Sequence, residues 1–298
     1  MKEIFKITFF LVCFYYPFDG KSQELEIKEL YDIKYYNESD ADSIKHKLNL
    51  FIPKVENNPP LLLWIHGGAW SFGDRRAETQ LARKFAKKGI AVAVISYRLT
   101  AATWQNPMLK EGIQHPEHIK DVARAFNWVY KNAETYKYDK TSIFVSGYSS
   151  GGHLSALLSV DDSYLKEVGR SVNDIKATIS IAGGYDMEEY YNLLLKFNGK
   201  AIADGHVKGV FGDSMEKLVD ASPITYLKKK TRPMLVMSET QTFMYVESFE
   251  KAVKDFGNTD IEFFHVKDQN HTELLNDLSN AEYSQHRKRI IDYIKSKI

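Results

Sequence analysis

Three short stretches of this chain carry residue types that suit nucleophilic chemistry. The first is Gly147-Tyr148-Ser149-Ser150-Gly151, set between the apolar run from Ile143 and a helix-like pattern that follows. A serine at the apex of so tight a strand-to-helix corner has its hydroxyl pushed clear of the backbone, and glycines on either side avoid collisions that side chains would cause. The start of the next helix aims free N–H groups and a positive dipole at the same point. Ser149 is therefore the expected nucleophile. The second stretch, Leu61 to Trp70, runs "LLLWIHGGAW". Glycines directly after a strand let backbone N–H groups face a cavity. Gly68 and Ala69, with Ser150 after the nucleophile, are the expected donors to a developing oxyanion. His66 is expected to orient that loop by hydrogen bonds, and His153 to pack in the core. The third stretch is the late "KDQNHTELL", which holds His271.

These residues need a rigid frame, and the pattern supplies one. "LLLWIH" and "IAVAVIS" are short continuous apolar runs, as strands buried on both faces require, and "SIFVSG", "ATISIAG", "PMLVMS" and "IEFFHV" read as four more strands. Ile27–Tyr36 and Lys47–Ile52 read as opening strands. Helical periodicity separates most of the later runs: Arg75 to Lys88 behind Asp74 and ended by Gly89, and Glu117 to Ala133 with Ile119, Val122, Phe126 and Val129 on one side. Alternation of this kind predicts an α/β fold with a mostly parallel sheet covered by helices on both faces. Tyr185 to Lys230 exceeds a simple crossover, and its residues 187–230 read as a small cap insert after the sixth strand.

The chain then resembles the α/β-hydrolases of the esterase/lipase branch, and within it the feruloyl/acetyl-xylan esterase-like carboxylesterases and the kynurenine-formamidase-like hydrolases. The resemblance spans roughly Leu48 to Ile294. It rests on "LNLFIP", "IHGGAW", "VISYRL", "HPEHIKDVARAFNWV", "SGYSSGGHLSAL", "AGGYDM", "ASPITYL" and "QNHTELL". It implies an α/β-hydrolase fold and a serine esterase working through an acyl-enzyme, with no cofactor and no metal. It also implies that His271 is the base, whereas His265 lies inside a strand. The acid is open. The family has an aspartate after "PMLVMS", but this chain reads "SETQTFMYVES", and the aspartate position falls on Gln241. Glu239 is the first candidate, Asp186 in "GGYDM" the second, and absence of an acid the third. Trp70 and Tyr148 flank the oxyanion loop and the nucleophile, where they wall a substrate site or simply pack. His46, His115, His118, His206 and His286 carry no motif and are expected at the surface.

Composition narrows the partners. The 298 residues are 44% hydrophobic and 27% charged, with 40 Lys and Arg against 39 Asp and Glu. So even a balance gives no electrostatic reason for a nucleic-acid partner. The expected partner is a small-molecule or carbohydrate-ester substrate; the oligomeric state is not legible. Residues 1–22 read as a secretory signal, with Lys2 and Lys6 ahead of the apolar run Ile7–Tyr16 and small Gly20 and Ser22 at its end. Ten apolar residues are too few for a stable membrane span. Residues 23–298 then form one hydrolase domain, secreted or periplasmic. Cys13 is the single cysteine, and Val12 before it makes a poor context for a lipid anchor. Removing that segment leaves equal numbers of each charge and no thiol. Two rival readings accompany the esterase: an arylformamidase-type amide hydrolase, and a catalytically impaired hydrolase-fold binding protein whose motive is the missing aspartate.

Overall fold

The structure is a computed structural model that describes residues 25–106, 108–109 and 112–298; the expected signal segment, residues 1–22, lies outside them. Eight strands form one sheet in the order β1-β2-β4-β3-β5-β6-β7-β8. β1 (Ile27–Lys34) and β2 (Lys47–Pro53) are antiparallel to their neighbours. β3 (Leu61–Ile65), β4 (Ala91–Ile95), β5 (Ile143–Tyr148), β6 (Ala177–Ile181), β7 (Met234–Ser238) and β8 (Ile261–His265) run parallel.

The runs of β3 to β7 are continuous because both faces of the sheet are covered there, whereas β8 at the edge is mostly part-buried. Leu61, Leu63 and Ile65 join Ala93, Ile95 and Val145 beneath the helices Glu117–Tyr136 and Ser150–Val160. Leu62 and Trp64, pointing the other way, join Val92, Val94 and Phe144 beneath Thr79–Ala86, His271–Asn280 and Gln285–Ser296. Alternation by two along a strand splits one run between two cores. Each fully buried aliphatic side chain there contributes about 1.5–3 kcal/mol.

One polar cluster ties the opening of the sheet to its first long helix. Asp121, fully buried on the helix Glu117–Tyr136, accepts hydrogen bonds from Arg98 Nε at 2.9 Å, Arg124 Nη1 at 2.8 Å and His46 Nε2 at 2.8 Å. The Asp42 N–H donates to His46 Nδ1, so Nε2 carries the ring's proton toward Asp121. Burial works to raise the Asp121 carboxyl, but its bonds to His46 and Arg98 outweigh this and hold it below the usual range.

Two expectations need correction. The helix expected over Arg75–Lys88 opens as a 3-10 turn, Arg75–Glu78, before regular helix from Thr79 to Ala86; Asp74 caps the turn through the Arg76 N–H. More broadly, His46, His115, His118, His206 and His286, expected at the surface, are all buried. Four of them find a partner: Asp121 for His46, Asp220 for His115, Thr100 for His118 and Tyr190 for His206. An imidazole is mostly apolar area, so one or two hydrogen bonds make its burial tolerable.

Between β6 and β7 the chain forms a run of helices, from Met187–Asn198 to Met215–Asp220. On the first of these only Met187 is fully buried; Tyr190, Tyr191 and Leu194 pack partly against the core, and the last turn is exposed.

Candidate active site

The corner at Ser149 has the strain its sequence implies. Ser149 holds φ 57° and ψ −119°, in the half of backbone space that side chains disfavour. The surroundings fix it there: its N–H donates to the Ile181 carbonyl at 2.8 Å, and its own carbonyl accepts from His153 N–H at 3.0 Å. Close approach, not backbone sign, requires the flanking glycines. A Cβ on Gly147 would sit 2.3 Å from the Gly151 oxygen, and one on Gly151 would sit 2.1 Å from the Ile65 oxygen. The corner is thereby pressed against the carboxyl end of β3.

The loop after β3 turns sharply across that end. Gly68, Ala69 and Trp70 all have positive φ, at 118°, 52° and 57°. The Gly68 carbonyl accepts from Ser71 and Phe72 N–H, at 2.9 and 2.8 Å. Among the described residues no group accepts a hydrogen bond from the N–H of Gly68, Ala69 or Ser150. His66 orients the loop, as expected: its Nδ1 donates to the Gly67 carbonyl at 2.7 Å and its ring stacks on Tyr97 at 4.4 Å. Burial holds His66 near 4, so it is neutral. His153 is fully buried, takes the Trp70 indole N–H on Nδ1 at 3.2 Å, and donates from Nε2 to the Ala221 carbonyl.

His271 opens the helix His271–Asn280 behind its cap Asn270. Its Nδ1 lies 3.0 Å from Glu239 Oε1, whose side chain is fully buried. Burial works to raise the Glu239 carboxyl; the His271 hydrogen bond, with those from the Gln241 N–H and Thr242, lowers it on balance, so it is ionised at neutral pH. Gln241, in the position where the resemblance places an aspartate, donates its N–H to Glu239 Oε2 at 2.6 Å and accepts the His271 N–H on Oε1 at 3.1 Å. Asp186 is engaged elsewhere. It caps the helix Met187–Asn198 by accepting from Glu188 and Glu189 N–H. His265 also lies apart, with Nδ1 on Ser238 and Nε2 on Glu250.

Ser149 and His271 line two adjoining cavities together. The smaller, of about 320 Å³, is walled by Trp70, Tyr190 and Tyr245 and floored by Ala182, Gly183 and Gly184. The larger, of about 590 Å³, runs past Gly68, Ala69 and Tyr148 to Phe72, Trp104 and Glu78. Trp70 and Tyr148 thus touch one cavity each, yet both are almost wholly buried and serve the packing as well: the Tyr148 hydroxyl donates to the His271 carbonyl at 2.5 Å. Sequence reasoning missed Glu78, Tyr190, His206 and Tyr245. Their spacing carries no motif, and only the fold brings them to the cavities. Among the described residues no cluster of histidine, cysteine or carboxylate is placed to hold a metal ion, and no helix is long and apolar enough to cross a membrane.

A parallel sheet with a strained serine at the end of its fifth strand and a histidine beyond its eighth is the architecture of the α/β-hydrolase esterases. Residues 48–248 match the BD-FAE family model, and the chain belongs to that family. Among curated proteins it is 29% identical over 197 residues to a rice (Oryza sativa) protein named "probable isoprenylcysteine alpha-carbonyl methylesterase ICME", covering 63% of this chain and 44% of that one. It is also 29% identical over 192 residues to esterase LipC of Mycobacterium tuberculosis, covering 60% and 43%. The chain spans less than half the length of these relatives. Among solved structures, esterase B of Lactobacillus rhamnosis superimposes with a TM-score of 0.74 at 17% identity, over 91% of this chain and 88% of that one. A truncated carbohydrate esterase from gut microbiota superimposes with 0.69 at 19% identity, over 93% and 98%.

Proposed function

We propose that the chain is a serine carboxylic ester hydrolase that works through an acyl-enzyme. The observation that carries this is the 3.0 Å contact between Glu239 and His271 Nδ1, at the cavities that Ser149 shares. Glu239 keeps the proton on Nδ1 and leaves Nε2 free to accept one. His271 then takes the Ser149 proton as the hydroxyl oxygen attacks the ester carbonyl. The N–H groups of Gly68, Ala69 and Ser150 hold the oxyanion. The alcohol leaves with the proton from His271, and water repeats the attack on the acyl-serine. The ionised Glu239 supplies the negative charge whose absence motivated the binding-protein reading.

Family membership and the names of relatives favour esters over formamides. The carbohydrate esterase among the structural neighbours suits acetyl or feruloyl esters of polysaccharide. Export by residues 1–22, cleaved near Gln23, belongs to the same proposal, since such esters lie outside the cell.

A fluorophosphonate probe on the purified chain tests the mechanism. The probe should mark the peptide containing Ser149, and a panel of short p-nitrophenyl esters should be hydrolysed. Ser149→Ala should lose both, with turnover down by roughly 10⁶. Full turnover in that variant, or labelling elsewhere, removes the proposal.

A further inference from the structure

Glu78 is a carboxyl that the ester chemistry above does not use. It ends the 3-10 turn Arg75–Glu78, is only 6% exposed, and lines the larger cavity beside Tyr148, Ser149 and His271. Among the described residues no lysine or arginine lines this cavity. The one hydrogen-bonding group bearing on the carboxyl is the Trp64 indole N–H, and that buried donor itself lacks a bond of good geometry. A carboxyl this buried and this poorly paired is unfavourable until a ligand satisfies it.

We infer that Glu78 is the specificity-determining group of the larger cavity, binding a hydroxyl on the uncharged half of the ester that enters it. This rests on the ester-hydrolase reading. Burial pushes the Glu78 carboxyl up to about 7, so near neutral pH its protonated form both donates to and accepts from an alcohol. Phe72 and Trp104, edge to face at 6.1 Å, offer apolar faces for the C–H side of a sugar or for an aromatic ring. Gln105 and Thr272 add hydrogen-bonding groups to the same cavity. Its volume of about 590 Å³ accommodates either a sugar ring or a hydroxycinnamoyl group. The hydroxyl therefore belongs to the alcohol half or to the acyl half, and the shared chemistry is the same.

Matched ester pairs decide it, using the full chain and the variants Glu78→Gln and Glu78→Met. One pair is an acetylated methyl xyloside and its analogue lacking the neighbouring hydroxyl. The other is methyl 4-hydroxycinnamate and methyl cinnamate. The wild type should prefer the hydroxylated member of one pair by at least tenfold in kcat/KM, chiefly through KM. The pair concerned identifies which half of the ester lies against Glu78. Glu78→Met should bring that preference close to one, and Glu78→Gln, which still hydrogen-bonds, should retain most of it. A wild type with no preference in either pair overturns the inference, as does a preference that survives Glu78→Met. Better turnover of acetylcholine than of either hydroxylated ester also overturns it, since the carboxylate would then be a cation site. If the wild type hydrolyses no ester, including p-nitrophenyl acetate, the ester-hydrolase reading fails by itself. Affinities of the same pairs for Ser149→Ala and Ser149→Ala/Glu78→Met then decide the role of Glu78 by the same ratio.

Discussion

Glu239 and His271 meet at 3.0 Å across the ends of two strands, and Gln241 holds both of them. Gln241 occupies the position where the resemblance places an aspartate, and its neutral amide cannot supply the charge. Glu239→Gln should therefore lower kcat by about 10²–10⁴ with KM little changed, because the ring loses its charged partner while the packing stays. Gln241→Ala should cost only a few-fold, since its backbone N–H still reaches Glu239. Asp186→Asn should leave turnover alone, because asparagine caps a helix as well as aspartate does. Steady-state kinetics on the three variants checks all of this; a silent Glu239→Gln would refute the assignment of the acid.

Gly151→Ala should fail to give stable protein. Its Cβ would lie 2.1 Å from the Ile65 oxygen, and neither backbone can retreat without breaking the sheet or the helix Ser150–Val160. A loss of about 3 kcal/mol or more is expected. Gly209→Ala is the control, since a Cβ there meets nothing within 4 Å. Urea midpoints of the two variants make the comparison.

Asp121→Ala should destabilise the fold by about 3–5 kcal/mol, because it strands Arg98 beside a buried His46. Thermal unfolding measures it. A loss below about 1 kcal/mol would mean that water replaces the carboxylate.

Acid should weaken the protein well above the range in which carboxylates titrate. Burial holds His66 and His206 near 4 and His118 and His153 near 3, against about 6.5 in an unfolded chain. The unfolded state binds more protons below 6.5, so stability falls as pH drops from there toward 4. Glu78 acts in the opposite sense, since its raised value favours the folded state as pH falls from about 7. The groups around it do not reverse this: Tyr97 and Tyr148 are both held up and His206 is neutral. His115 is lowered by burial in the same sense and Glu189 is raised like Glu78, so five histidines against two carboxyls should lower stability by more than ~1 kcal/mol per pH unit between 6 and 5. Urea midpoints at pH 7.5, 6 and 5 test the sign, and a flat series would contradict it.

The frame of this molecule was legible because its determinants are local. Five apolar runs declare five buried strands, "IEFFHV" declares a part-buried strand at the sheet's edge, and Gly147 to Gly151 declares the corner. Glu239 was legible only as one of three options. No spacing rule says that a glutamate two residues before the usual position reaches the histidine; its extra methylene and the hydrogen bonds from Gln241 and Thr242 do that in three dimensions. Four of the five histidines are buried through partners such as Asp220 or Tyr190, more than ten residues away in sequence and invisible to local pattern; His286 is buried without one. Glu78 carries no motif, and its neighbours along the chain give it no distinguishing mark. Only the fold places it against Tyr148.

The two cavities share a wall at Ser149 and His271, so under the acyl-enzyme mechanism proposed above an ester would straddle the serine with one half in each. The order of events then follows. When the ester bond breaks, one half stays tethered and keeps its room occupied. The other half must depart from the opposite side, and only that vacated side gives the hydrolytic water room beside His271. A departing group slow to leave the aromatic pocket would act as a plug on its own enzyme. The released half should then inhibit twice over, by excluding fresh ester from the free enzyme and water from the acyl-enzyme.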